Sequence, residues 1–195
     1  MTQTVLYLHG FLSGPSSKKA CVLRDLCEAK GANFVAPDLN MSPEDAASLI
    51  WSEYEKAAVV GEVAVAGASL GGFYAAWLAG RTGIRAALLN PAVEPWDIVK
   101  LYNGEYKSFT GDKIVRVTPD YADQLRALDA APFADPTRVL MVLCTGDEVL
   151  DWRRAATRFS DVQSIVIDGS DHRISCFEEY AAAVRDFLLA GSDRF

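Results

Sequence analysis

The chain has 195 residues, half of them hydrophobic and 23% charged, with a net charge of -7. That length and balance suit one soluble domain with a sizeable core and exclude disordered and fibrous classes. Lys and Arg never run beyond a pair (Lys18-Lys19, Arg153-Arg154), so the clustered cations that a nucleic-acid backbone demands are missing.

The N-terminal MTQTVLYLHG has neither a basic region nor a long apolar stretch, so it does not read as a secretory signal. No apolar run approaches the ~20 residues of a membrane span. The four cysteines, Cys21, Cys27, Cys144 and Cys176, lack CxxC or CxxH spacing. The expected setting is the cytoplasm, with reduced, mostly buried thiols and no membrane partner.

The first apolar run, TVLYLHG (4–10), predicts a strand. Residues 16–30 then place Ala20, Leu23, Leu26 and Cys27 on one helical stripe. NFVAPDL (33–39) is a second strand. SPEDAASLIWSEYEKAA (42–58) is the best-marked helix: Ser42 suits the N-cap, Pro43 the first helical position, and Asp45 the positive end of the helix dipole. EVAVAGA (62–68) is a third strand, followed by a helix over 70–82 that carries Leu70, Phe73, Tyr74, Trp77 and Leu78. IRAALLN (84–90), RVLMVLCTG (138–146) and VQSIVID (162–168) complete six strands, and residues 174–190 form the last helix. Nearly continuous apolar strands alternating with helices predict an α/β protein: a mostly parallel sheet of about six strands, flanked by helices on both faces. All 195 residues are expected to form one domain.

Residues 91–137 break the alternation. They lack a clear strand and hold Trp96, Tyr102, Tyr106, Phe109 and Tyr121. Lying between two core strands, they are expected either as a small cap over the carboxyl ends of the strands or as a surface excursion with its own core.

Chemistry is concentrated at VAVAGASLGG (63–72). Gly67-Ala68-Ser69-Leu70-Gly71 matches G-x-S-x-G, the sharp strand-to-helix turn that exposes a nucleophilic serine. No G-x-G-x-x-G and no Gly-Lys-Ser/Thr accompanies it, which removes the dinucleotide and P-loop readings. A serine hydroxyl needs a base. Of the two histidines, only His172, in IVIDGSDHRIS, follows the serine in the chain order Ser, acid, His. His9 ends the first strand and is expected to fix the HGF loop. That loop would offer the backbone N–H of Phe11 to an oxyanion, with Leu70 N–H as the second donor; Gly10 allows close approach.

TGDEVLD (145–151) supplies three acids. Asp147 lies just beyond a strand and is the expected partner of His172. Glu148 is a residue further and should point elsewhere, and Asp151 suits the N-cap of DWRRAATRF. Asp171 cannot easily face its own neighbour's ring, and Asp38 belongs to a strand-end turn.

Together YLHGF with Pro15 and Lys19-Ala20, GASLGGFYA, NPAVEP, TGDEVLD and the final Asp-His loop resemble the YqiA/YcfP-type bacterial esterase family of the α/β-hydrolase superfamily. The resemblance implies a compact α/β-hydrolase fold that hydrolyses carboxylic esters, with short-chain or aryl esters and acyl-CoA thioesters as substrates. Relatives carry a polar residue after HGF and an aromatic after the histidine; this chain has Leu12 and Arg173. With His9, Gly10 and Trp96, these two are the expected pocket-flanking residues. Neither a metal nor an organic cofactor is expected, because His9 and His172 lie in separate loops without a paired-ligand motif. The rival reading is a hydrolase-like binding protein that has lost turnover; a missing triad member would have favoured it.

Overall fold

The structure is a computed structural model and describes residues 2–109 and 113–191. In chain order the main elements are β1 (Thr2–Leu8), α1 (Lys18–Glu28), β2 (Asn33–Val35), α2 (Pro43–Val60), β3 (Gly61–Ala68), α3 (Leu70–Thr82) and β4 (Arg85–Leu89). After them come α4 (Trp96–Val99), β5 (Gly104–Lys107), β6 (Ile114–Val117), α5 (Tyr121–Ala127), β7 (Val139–Cys144), α6 (Trp152–Arg158), β8 (Gln163–Ile167) and α7 (Phe177–Leu189). Short 3₁₀ turns occupy Lys100–Tyr102 and Pro136–Arg138.

The six anticipated strands form one sheet, in the order β2-β1-β3-β4-β7-β8. Every neighbouring pair in it is parallel. Alternation along each strand explains the continuous apolar runs. Leu6, Leu8, Val63, Val65, Leu88, Met141 and Leu143 face one core, shared with Ile50 of α2 and Phe73 and Leu78 of α3. Val5, Tyr7, Ala64, Ala66, Leu89 and Val142 face the other core. There they meet Ala20 and Leu23 of α1 and Phe177, Val184 and Leu188 of α7. Both faces are covered, so neither needs polar residues, and every loop at the strand carboxyl ends opens on the same edge. Among the described residues, no helix is long and apolar enough to cross a membrane.

Local signals set the helix starts. Ser42 caps α2, its hydroxyl accepting the Asp45 N–H at 3.2 Å, with Pro43 at the first position. Asp151 caps α6 by accepting the Arg153 N–H at 3.1 Å.

Residues 91–137 differ from expectation in one respect: they contain strands. β5 and β6 pair antiparallel, with Glu105 opposite Arg116 and Tyr106 opposite Val115. Each strand has four residues, too few for the alternation to stand out in sequence. The hairpin buries Val115 and Val117 in a third, small cluster with Tyr121 and Leu12, and Phe11, Val99 and Tyr106 pack against it. The segment therefore shares its core with the loop that follows β1. The Phe109 N–H donates to the Leu12 carbonyl at 2.7 Å, and Lys113 Nζ meets Asp38 at 2.8 Å.

Candidate active site

Ser69 sits between β3 and α3 with φ 55° and ψ -119°, a left-handed conformation that side chains other than glycine rarely adopt. Several bonds hold it there. Its N–H donates to Leu89 O at 3.0 Å, and its carbonyl accepts from Ala92 N at 3.0 Å and Gly72 N at 2.9 Å. The flanking glycines are a matter of space. A Cβ on Gly67 would lie 2.0 Å from Gly71 O, and one on Gly71 would lie 1.9 Å from Leu8 O. The elbow can close only with both side chains absent.

His172 lies in the loop between β8 and α7, and its Nε2 stands 3.1 Å from Ser69 Oγ. Its Nδ1 stands 2.8 Å and 3.0 Å from the two carboxylate oxygens of Asp147. An ionised carboxylate only accepts, so the proton belongs on Nδ1, and Nε2 is left to accept the Ser69 O–H; the network assigns this tautomer. Asp147 is held as firmly as its partner. Its Oδ1 accepts the N–H groups of Val149 at 2.9 Å and Leu150 at 2.8 Å. The Asp147 side chain is 1% exposed, against 17% for His172. Burial pushes the Asp147 carboxyl pKa upward, but the hydrogen bonds from His172, Leu150 and Val149 outweigh it and hold it below the usual carboxylate range.

The other acids of the motif separate by contact. Asp151 caps α6. Glu148 does not point elsewhere: its Oε2 accepts the backbone N–H of His172 at 2.9 Å. The sequence reading missed this contact because it links residues 24 positions apart through two loops. Asp171 accepts from Ser175 N and Oγ, at 2.8 Å and 2.7 Å. Asp38 accepts from Asn40 N at 3.0 Å, closing a turn.

His9 is 2% exposed and both ring nitrogens are occupied. Nδ1 donates to Gly10 O at 2.8 Å, and Nε2 accepts the Leu39 N–H at 2.8 Å. Burial, the largest influence, pushes its pKa below the usual histidine value, so the ring stays neutral and fastens the β1 loop to the loop after β2. The β1 loop closes on the serine: a Cβ on Gly10 would lie 3.2 Å from Ser69 Cβ. Phe11 follows directly. Leu70 opens α3, where the first N–H groups have no intrahelical acceptor. Of the two expected oxyanion donors, Leu70 directly follows Ser69, and Phe11 directly follows Gly10.

A cavity of about 20 Å³ is lined by Gly10, Phe11 and Leu12 of the β1 loop, Leu70 and Tyr74 of α3, and Val99, Val115, Tyr121 and Leu125. His9 also lines it. Of the remaining expected pocket residues, Trp96 and Arg173 are not in its lining. The Trp96 ring packs edge-on against Phe73 and carries the Arg126 guanidinium, with centroid distances of 6.3 Å and 5.9 Å. Arg173 is exposed, and only its carbonyl is engaged near the site, accepting from Lys19 Nζ at 2.6 Å. Asn90, to which the sequence reading gave no role, is buried beside the His172 loop. Among the described residues, no group of three or more His, Cys, Asp or Glu is placed to hold a metal ion.

The sequence profile of the family described as Uncharacterised protein family (UPF0227) matches residues 4–189. Several solved structures share the fold at low identity. Alpha/beta hydrolase domain-containing protein 10 from mouse is 16% identical with a TM-score of 0.75, over 95% of this chain and 88% of that one. A hydrolase of the α/β superfamily from Xanthomonas campestris is 22% identical with a TM-score of 0.65, over 97% and 98%. A monoacylglycerol lipase from Paleococcus ferrophilus is 16% identical with a TM-score of 0.68, over 95% and 93%. The fold is that of the α/β hydrolases.

Proposed function

The chain belongs to the UPF0227 family, the YqiA/YcfP-type family that its motifs resemble, and from that premise we propose that it is a serine hydrolase that cleaves carboxylic esters of short acyl groups. The observation that carries the reading is the continuous line from Asp147 through His172 to Ser69 Oγ, with contacts of 2.8 Å and 3.1 Å. A serine strained into the open, a base in the accepting tautomer and a buried carboxylate behind it are what acyl transfer requires.

In this mechanism His172 Nε2 takes the Ser69 proton as Oγ bonds to the acyl carbon. The carbonyl electron pair moves onto oxygen, where the N–H groups of Phe11 and Leu70 receive it. Collapse of the tetrahedral adduct breaks the bond to the alcohol oxygen, which takes the proton from Nε2. Water then repeats the sequence: it gives one proton to Nε2, attacks the acyl-serine, and releases the acid with Oγ reprotonated. Throughout, Asp147 remains ionised and stabilises the transient imidazolium. Its lowered pKa suits that task.

The small cavity beside Phe11 and Leu70 supports a short acyl group. At about 20 Å³ it has room for little more than one water-sized group. The described part of the segment after β4 acts as a cap, through Val99, Val115 and Tyr121, which line the acyl pocket with residues of the main body. Aryl alcohols and thiols, as in acyl-CoA, would depart as leaving groups outside this pocket.

A panel of p-nitrophenyl esters from acetate to laurate tests the reading. It predicts kcat/KM greatest for the acetyl ester and falling as the acyl chain lengthens. Absence of turnover on every ester, thioester and amide offered to the folded protein would overturn it.

A further inference from the structure

We propose that Asn90 is the positioning residue that sets the spacing between Asp147 and His172; the proposal rests on the hydrolase reading above. The sheet itself does not fix that spacing. The last ladder pair between β7 and β8 is Cys144 with Ile167, and Asp147 and His172 both lie beyond it, on loops that Thr145 ties together at their bases through Asp168 and Gly169, at 2.7 Å and 2.8 Å. Asn90 spans the gap between them. It follows β4, which lies between the serine-bearing β3 and β7.

One buried amide makes the connection. Asn90 is 2% exposed. Its Oδ1 accepts the Cys144 N–H at 2.8 Å, and the Cys144 carbonyl in turn accepts the Asp147 N–H at 3.2 Å. Its Nδ2 donates to the carbonyls of Asp171 and His172, both at 3.2 Å. The amide cannot be reversed: an N–H needs the oxygen on one side, and two carbonyls need the NH₂ on the other. The main chain is equally committed. Asn90 N–H donates to Val142 O at 2.8 Å, and its φ of 41° is left-handed, a conformation asparagine tolerates better than most residues. Glu148 on the His172 N–H and Lys19 on the Arg173 carbonyl tether the same loop from its exposed side. Asn90 joins the acid's turn to the histidine's loop from inside.

Asn90 is buried beneath the two loops, 2% exposed, and out of substrate's reach. Loosening it should therefore slow proton transfer from Ser69 without weakening substrate binding. Asn90→Asp is the sharpest variant. It keeps size, left-handed tolerance and the acceptor for Cys144 N–H, but it turns an oxygen toward the two carbonyls. The expected result is a fall in kcat of about 100-fold, the scale of a 1 Å misplacement, with KM within about two-fold of wild type. Phosphonylation of Ser69 by a fluorophosphonate should slow by the same factor. In an Asp147→Asn background, Asn90→Asp should cost less than about three-fold, because the arrangement it serves is already lost. Asn90→Gly, which removes all three side-chain bonds without adding charge, carries the test if the aspartate variant does not fold. A folded variant with wild-type kcat overturns the proposal, as does an equal loss in the Asp147→Asn background, which would mark a merely structural role. A wild-type protein that neither turns over esters nor labels overturns the hydrolase reading itself, and this proposal with it.

Discussion

Replacing Asp147 by asparagine changes one atom, and the structure dictates where that atom goes. Oδ1 already accepts two backbone N–H groups, from Val149 and Leu150 at 2.9 Å and 2.8 Å, so the amide oxygen must take that place. The NH₂ then occupies the Oδ2 position, 2.8 Å from His172 Nδ1. Two donors cannot share that contact, and the oxygen left 3.0 Å from Nδ1 is already engaged by two backbone N–H groups. The imidazole responds by moving its proton to Nε2, leaving Nδ1 to accept. Nε2–H then faces Ser69 Oγ at 3.1 Å as a donor, and the serine has lost its base. In Ser-His-Asp sites a wrong tautomer of this kind lowers kcat by about 10⁴-fold, or ~5.4 kcal/mol of barrier. KM should change little, since the Asp147 side chain is 1% exposed and out of substrate's reach. Exchanging a charge-assisted bond for a neutral one should cost about 1–2 kcal/mol of stability, leaving the protein folded. Initial rates on p-nitrophenyl acetate, with thermal melts of both proteins, measure all three quantities. A kcat within ten-fold of wild type, with the variant folded, would refute the assignment of Asp147. The same refutation follows if Asp151→Asn rather than Asp147→Asn abolishes turnover.

Asp151→Ala should cost about 1 kcal/mol, the value of an N-cap, and leave kcat near wild type; a melt and a rate measurement suffice, and a large loss of kcat would contradict the capping role. Val99→Ala enlarges the roof of the acyl pocket and should raise kcat/KM for hexanoyl relative to acetyl esters; an unchanged chain-length profile would place the acyl group elsewhere. Acid should weaken the fold in two stages. His9 has its folded pKa below 6.5, so its contribution is complete above pH 6.5 and is lost as the pH falls through the lowered folded value. Asp147, with its folded pKa below 3.8, adds a second loss at lower pH as that carboxylate is protonated. His9→Gln should flatten the first stage in melts taken against pH, and a slope identical to wild type would rule His9 out as its source.

Much of this was legible in the chain because the signals were local or ordered. Apolar runs such as TVLYL and LMVLC declared the sheet because both of its faces are covered. The elbow was readable because Gly67 and Gly71 answer a steric demand within five residues. What escaped depended on loops meeting in space. Glu148 reaches the His172 backbone only because the loops after β7 and β8 leave adjacent strands. Asn90 opens the NPAVEP motif, but its role did not show, since its three side-chain partners lie 54 to 82 residues away. The β5–β6 hairpin was too short to announce itself. Trp96 was placed near the pocket because its segment is, but its ring turns to Phe73 and Arg126, a choice made by packing.

The central claim is that Ser69 is a nucleophile activated by His172. The most direct measurement is active-site labelling with a fluorophosphonate followed by peptide mapping by mass spectrometry. One adduct on Ser69 in the wild type, none in a folded Ser69→Ala variant, and loss of labelling in step with loss of turnover is the predicted result. A folded wild type that hydrolyses esters yet remains unlabelled, or is labelled at another serine, would contradict the account.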